Sequence, residues 1–269
     1  MKLLQGMAPL LEVGRDLEGE LQGDLLRGIG LANKLPAVLA THLIGDSVSF
    51  QASDYCRSFL TAINPSKSLS VDHHQAFNAA QILQLEHSFN AGTFTARVVA
   101  STLADIEAAL SAGLGALSGA LHGGADQAVL AIVDRLRTHA DIIQTVDELL
   151  SQDGRMPGMG HREYRVRDPR AGFLEEWAQV LSLGTEHEKT FLKLKQLETV
   201  FRERMAQKNK PVYANVEFYK GLVYRMVGLP DHFFTACFAM SRVYGYVAHF
   251  VESRVDNRIY RPQARYVGG

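Results

Sequence analysis

Along this 269-residue chain apolar side chains return every three or four positions, and sustained alternation of apolar with polar residues is missing. Helical spacing covers the stretches near 17–31, 36–46, 53–63, 70–88, 94–118, 124–137, 140–151, 170–182, 185–208, 215–227 and 231–253, which predicts an all-α protein. Asp16, Ser53, Ser70, Asp105 and Asp231 stand where a short oxygen-bearing side chain would cap a helix, and Pro36, Pro157, Pro211 and Pro230 punctuate the boundaries. The 94–118 stretch is small and apolar on several faces and reads as a buried helix. The densely charged 185–208 stretch reads as a solvated outer helix.

Composition changes this picture little. Hydrophobic residues make up 46% and charged residues 21%, an ordinary globular balance, at a length near that where one core divides into domains. A net charge of -1 supplies no global field for nucleic acid or an anionic membrane, so any anion recognition must be local. Cys56 and Cys237 lie far apart without a CxxC or Cys/His cluster, which argues against a disulfide framework or a zinc site and points to the cytoplasm. No apolar run approaches membrane-spanning length, no secretory leader is visible, and no phosphate-loop or dinucleotide fingerprint appears. The expectation is a soluble protein with neither a nucleic-acid nor a membrane partner.

Three segments carry chemistry. His122 lies in Gly119-Ala120-Leu121-His122-Gly123-Gly124-Ala125, where glycine after a helix would supply a left-handed C-terminal cap. His161 lies in Met156-Pro157-Gly158-Met159-Gly160-His161 and is followed by Arg162, Arg165, Arg167 and Arg170, guanidinium forks suited to carboxylate or phosphate. Glu217 lies in Asn215-Val216-Glu217-Phe218-Tyr219. There it reads equally as a first-turn helix acid or as a carboxylate whose apolar flanks raise its pKa toward that of a useful base. Two glycine-flanked histidines and one carboxylate are enough to move protons on a carbonyl substrate without a metal or an organic cofactor. His73 and His74 lack carboxylate partners at ligand spacing. His42, His139, His187 and His232 show no chemical neighbourhood, and His249 reads as a packed helix residue.

Together with Glu86 to Arg97, Asp168-Pro169-Arg170, Phe238 to Gly245, Ala248 to Glu252 and Arg261 to Gly268, these segments resemble the citrate synthase family from about Leu83 onward. The first eighty residues fit more loosely, anchored at Lys34-Leu35-Pro36. The resemblance implies an all-α two-domain fold, with a large domain of 1–122 plus 227–269 and a small domain of 123–226 that closes over the substrates. It also implies an acyltransferase that joins a short acyl-CoA, acetyl or propionyl, to oxaloacetate and hydrolyses the thioester to citrate or 2-methylcitrate. On that pattern Glu217 removes the acyl α-proton, His122 binds the thioester oxygen and His161 protonates the ketone. His87, Arg170, Arg242 and Arg261 hold oxaloacetate, Arg261 reaching a site in a partner subunit, and Arg165 meets a CoA phosphate. Acyl-CoA is a substrate, and no cofactor is implied.

The departures are specific. The family's base is an aspartate, so Glu217 adds a methylene that moves the carboxylate about 1 Å, a displacement able to cost about a hundredfold in rate. Gln84 stands for a usual histidine, Glu86 and Ser88 for an acidic pair around the substrate histidine, and Ala214 for a proline. Met1 aligns inside the large domain, so the remaining family segment is expected either from another polypeptide or to have been trimmed. The resemblance implies a homodimer, and the alternatives to an active acyltransferase are a subunit beside a longer citrate-synthase-like chain and a non-catalytic oxaloacetate- or CoA-binding relative.

Overall fold

The computed structural model describes residues 19–48, 50, 55–119, 122–152 and 154–268. The helices are α1 (Gly19–Ala32), α2 (Leu35–Ile44), α3 (Tyr55–Ile63), α4 (Val71–Ile82), α5 (Ala91–Ser101) and α6 (Ile106–Leu117), followed by α7 (Ala125–Arg135), α8 (His139–Ser151), α9 (Pro169–Ser182), α10 (Glu188–Gln207), α11 (Val216–Met226) and α12 (Phe234–Val255). Among the described residues extended backbone pairs at one point, an antiparallel bridge between Met159 and Ala214. The expected all-α fold is what forms.

Local chemistry sets most boundaries. The Ser70 side chain accepts from His73 N and the Asp105 carboxylate from Ala108 N, as capping residues should, while Thr138 and Asp141 form a reciprocal capping box on α8. The expected caps Asp16 and Ser53, with Ala120 and Leu121, lie outside the described residues. Asp231 opens a 3-10 turn, Asp231–Phe233, without capping it, because its carboxylate is taken by Arg225.

Three expectations need correction. The 94–118 stretch is two helices, broken between Ser101 and Ile106. The Ser101 and Thr102 hydroxyls bond back to the carbonyls of Val98 and Val99, Leu103 turns left-handed at φ 65°, and Asp105 starts α6. The helix near 70–88 stops at Ile82, which leaves His87 in a loop. That loop runs so close to α12 that a Cβ on Gly245 would lie 2.4 Å from the Leu85 carbonyl oxygen. Finally, α10 is an outer helix but not a wholly solvated one, since Phe191, Leu194, Leu197, Val200 and Phe201 form a buried stripe.

α12 is the apolar axis of one helix group and packs on α1, α5 and α6. In a second group α11 lies against α7 and α9, and α10 against α8. α4 touches α9, α11 and α12, so the loop after it lies where the two groups meet. No described helix is long and apolar enough to cross a membrane.

Candidate active site

The glycine turn before His161 and the first turn of α11 are built as one piece. Gly160 N donates to Tyr213 O at 2.8 Å and Asn215 N to Gly158 O at 2.9 Å. The Asn215 side chain then donates to Gly160 O at 2.8 Å and accepts from Glu217 N at 2.9 Å, capping α11 while fixing the turn. Gly158 sits at φ 70°, and a Cβ there would approach Phe218 Cα at 3.0 Å, so both the backbone and the space require glycine. His161 and Glu217 are thereby held relative to one another by main-chain bonds.

Asp168 ties Arg170 to the same assembly. Its Oδ1 accepts from the Arg170 backbone N and Nε, both at 3.0 Å, and Oδ2 accepts from Arg170 Nη2 at 2.8 Å and Val216 N at 3.1 Å. Burial alone would raise the Asp168 pKa, but Arg170 and the backbone donors hold it below the ordinary value. Arg170 keeps its Nη1 group for another acceptor.

The histidines meet over Tyr164. His161 Nδ1 accepts from the backbone N of Glu163 at 3.0 Å and of Tyr164 at 3.3 Å, which places the ring proton on Nε2. That nitrogen lies 3.1 Å from His87 Nε2 and 3.5 Å from Arg170 Nη2. Tyr164 packs against both rings, at centroid distances of 5.6 and 4.6 Å. Desolvation and then the Arg170 charge lower both histidine pKa values, His87 to about 4. Neutral imidazoles therefore face this space at pH 7. Ser88, next to His87, is left-handed at φ 51°, a conformation fastened by Asn90 Nδ2 donating to the carbonyls of His87 and Ser88.

His122 lies on the N-terminus of α5, its Nε2 being 3.3 Å from Gly92 N and 3.2 Å from Asn90 Oδ1. Nε2 thus sits between a donor, Gly92 N, and an acceptor, Asn90 Oδ1, and each ring tautomer satisfies one of them. Burial lowers the ring's pKa, a hydrogen bond to its own backbone opposes this and Arg242 adds to the lowering. The left-handed glycine expected as a cap on the preceding helix serves the next one instead. α6 ends at Leu117, and Gly124, at φ 95°, is the N-cap of α7.

Glu217 is 12% exposed, and its Oε2 is 2.6 Å from Lys220 Nζ on the same face of α11. Lys220 is fully buried, with Asp126 Oδ2 at 3.1 Å and Gln84 Oε1 at 3.3 Å. Burial raises the Glu217 pKa, Lys220 opposes the rise and Asp126 adds to it. The rise that its apolar flanks suggested is present. Arg242, 2% exposed, lies among these groups. Its Nε donates to Gln84 O at 2.7 Å, and its charge bears on His87, His122 and Glu217. Burial pushes Arg242 down to about 10, still a cation at pH 7 and a ready anion partner.

Two expected ligand residues stand apart. Arg261 is exposed, and its Nη1 donates to Pro262 O; Arg165 is exposed on the loop after His161. Arg167 is engaged by Glu175 rather than by the site. His249 is packed as expected, against Glu86 and Arg97. A cavity of about 960 Å³ lined by Glu86, Ser88, Arg97, His249 and Tyr260 flanks the His87 loop but includes none of His122, His161 and Glu217. No group of three metal-ligating side chains occurs among the described residues.

The profile of the citrate synthase C-terminal domain matches residues 3–263. The chain belongs to the citrate synthase family. It is 37% identical over 245 residues to the citrate synthase of Synechocystis, covering 89% of this chain and 61% of that protein. It is 36% identical to the 2-methylcitrate synthase of Shewanella oneidensis, covering 75% and 52%. The Thermoplasma acidophilum citrate synthase, solved as a ternary complex with carboxymethyl coenzyme A and oxaloacetate, superposes with a TM-score of 0.85 at 29% identity, over 99% of this chain and 73% of that one. The chain thus spans about half to three fifths of these curated relatives' length.

Four residues that the structure adds to this site, Asp126, Asp168 as an Arg170 clamp, Asn215 and Lys220, do not stand out in the sequence as site residues. The Asp168-Pro169 step before α9 signals a cap, and Asn215 precedes an apolar helix. Lys220, three residues after Glu217, carried an ion-pair signal that spacing alone assigns to an exposed face. Gln84, where the family usually has histidine, donates to Tyr224 Oη at 3.3 Å and takes up Lys220. Ala214, the proline departure, is fully buried at the Met159 bridge.

Proposed function

We propose that this chain performs the acyltransferase reaction of the family, condensing a short acyl-CoA with oxaloacetate and hydrolysing the thioester. The observation that carries the reading is that His87, His161, Arg170, Arg242, His122 and Glu217, scattered over 156 positions from 87 to 242, converge on one junction between the helix groups. Arg242 and the Nη1 of Arg170 are suited to two carboxylates of a small dianion, with His87 beside them. Glu217 Oε1 takes the α-proton of the acyl thioester while the His122 imidazole supports the enol oxygen through a ring N–H, since neither step alone makes so weak an acid react. His161 Nε2–H protonates the ketone oxygen as the carbon–carbon bond closes. Water then cleaves the thioester and releases CoA as a thiol. These are proton transfers and a bond formation, and the reading invokes no metal or organic cofactor.

The same proposal includes a cleft that closes between 123–226 and the remainder, Arg165 on a CoA phosphate, and Arg261 acting in a partner's site within a homodimer or beside a longer citrate-synthase-like chain. The exposed positions of both arginines support this reading. A cytoplasmic setting is part of it, on the strength of two buried cysteines and no disulfide among the described residues. The test is thiol release by the purified chain with oxaloacetate and a series of acyl-CoA donors. Free thiol that requires both substrates supports the reading, and none with any donor overturns it.

A further inference from the structure

Lys220 has no part in the reaction above, yet it contacts the base and is fully buried. A buried ammonium persists only where carboxylates or dipoles repay its lost hydration. Lys220 has Glu217 from its own helix and Asp126 from α7, with Gln84 Oε1 as a third acceptor and the Phe238 ring 4.6 Å away. Burial favours loss of its proton, but the two carboxylates outweigh burial and raise its pKa, so Nζ is an ammonium and not an amine nucleophile.

Glutamate has one more rotatable bond than aspartate, and a carboxyl that is either neutral or free to swing is a poor base. We propose that Lys220 is the positioning residue of Glu217: its ammonium fixes Oε2 and holds the side chain as a charged carboxylate, leaving Oε1 to take the acyl proton, while Asp126 sets the strength of that hold. The proposal rests on the condensation reading and explains how the site accommodates the longer acid. The ionisable groups that face this pair are Asp126 from α7, Arg170 from α9, Arg242 and Cys237 from α12, and Tyr224 on α11. Lys220 and Arg170 favour the charged form of Glu217, and Asp126 disfavours it.

Opposite charge changes should therefore act in opposite directions. In Lys220→Met the acidic limb of the kcat–pH profile rises by about one to three pH units, the range an adjacent opposite charge produces. At a pH below both limbs each unit of rise costs about tenfold in kcat, while KM for oxaloacetate is unchanged. In Asp126→Asn, where Glu217 no longer shares Lys220, the limb moves down. A lysine with a merely structural role would depress the rate in both variants without opposite displacements. The double variant Lys220→Met/Asp126→Asn leaves no lone buried charge and serves if a single variant fails to fold; its limb lies above that of the wild type. The carboxyl of Glu217 is also titrated without substrate by carbon-13 NMR of the full glutamate-labelled chain, assigned with Glu217→Gln. No thiol release would overturn the condensation reading, and the NMR titration would still decide on Lys220. Thiol release with neither limb nor carboxyl titration displaced in the variants would overturn the Lys220 proposal.

Discussion

The two sides of the site are built by different physics. On the His161 side, polar groups sit on or beside turns and are held largely by backbone groups: Nδ1 of His161 accepts from two amides, Asp168 accepts from Arg170 N and Val216 N beside its ion pair with the Arg170 guanidinium, and the glycine turn donates to the Tyr213 carbonyl and accepts from the Asn215 amide. On the Glu217 side, charged groups sit on helix faces and are held by one another, as Lys220 is between Glu217 and Asp126. Backbone bonds fix geometry at little electrostatic risk. Buried ion pairs also set protonation, and removing one partner leaves the other stranded. One side is thus made for position and the other for charge.

The largest effect is expected at Glu217, the proposed base. Glu217→Gln keeps the shape and removes the proton acceptor, so kcat should fall about 10²- to 10⁴-fold with the fold intact by circular dichroism. Retained turnover would show that Glu217 is not the base. Glu217→Asp, assayed in parallel, should lose activity if the surroundings are fitted to the longer acid, and gain it if the extra methylene is a handicap.

On the turn side, Asp168→Asn frees Arg170 and weakens the anchor of Val216, with an expected loss of about 3 kcal/mol in denaturant unfolding and a raised KM for oxaloacetate. Because the folded-state pKa of Asp168 is depressed, its contribution is complete above about pH 4, the ordinary unfolded value, and is lost as pH falls through the folded one. That acid sensitivity should be missing from the variant. Gly158→Ala tests the turn without touching a charge and should cost about 1–2 kcal/mol, since φ 70° and the contact with Phe218 both oppose a side chain.

His87 sharpens the contrast through pH. Its folded pKa of about 4 lies below the unfolded value of about 6.5, so the unfolded chain binds more protons between them and stability rises with pH across that window. His87→Gln should flatten this segment of the stability profile, and an unchanged slope would locate the titration elsewhere. The smallest effect is expected from exposed Arg165→Ala: stability unchanged within about 0.5 kcal/mol, with a raised KM confined to the CoA substrate.

The same division separates what was legible in the chain from what was not. His122, His161 and Arg170 could be found because glycine, proline and cap residues mark turns whatever surrounds them. The Asp105 cap was visible for the same reason, although the break it imposes in the 94–118 stretch was not, since weak back-bonding by Ser101 and Thr102 tips that balance. Lys220 stands in the sequence as an i,i+3 neighbour of Glu217, but nothing in one helix tells which of its faces will be buried. Asp126 lies 94 positions from Lys220, and no local pattern joins them.

By itself the sequence determined the all-α class, most helix starts, the turns that carry two histidines, and the family resemblance, because periodicity and capping are short-range effects. Tertiary structure alone decided that His87 leaves its helix, that His161 and Glu217 share one backbone clamp, and that a buried lysine holds the longer acid. The reason is physical: charge state and side-chain position inside a protein depend on desolvation and on partners contributed by distant helices, and both arise only when those helices pack.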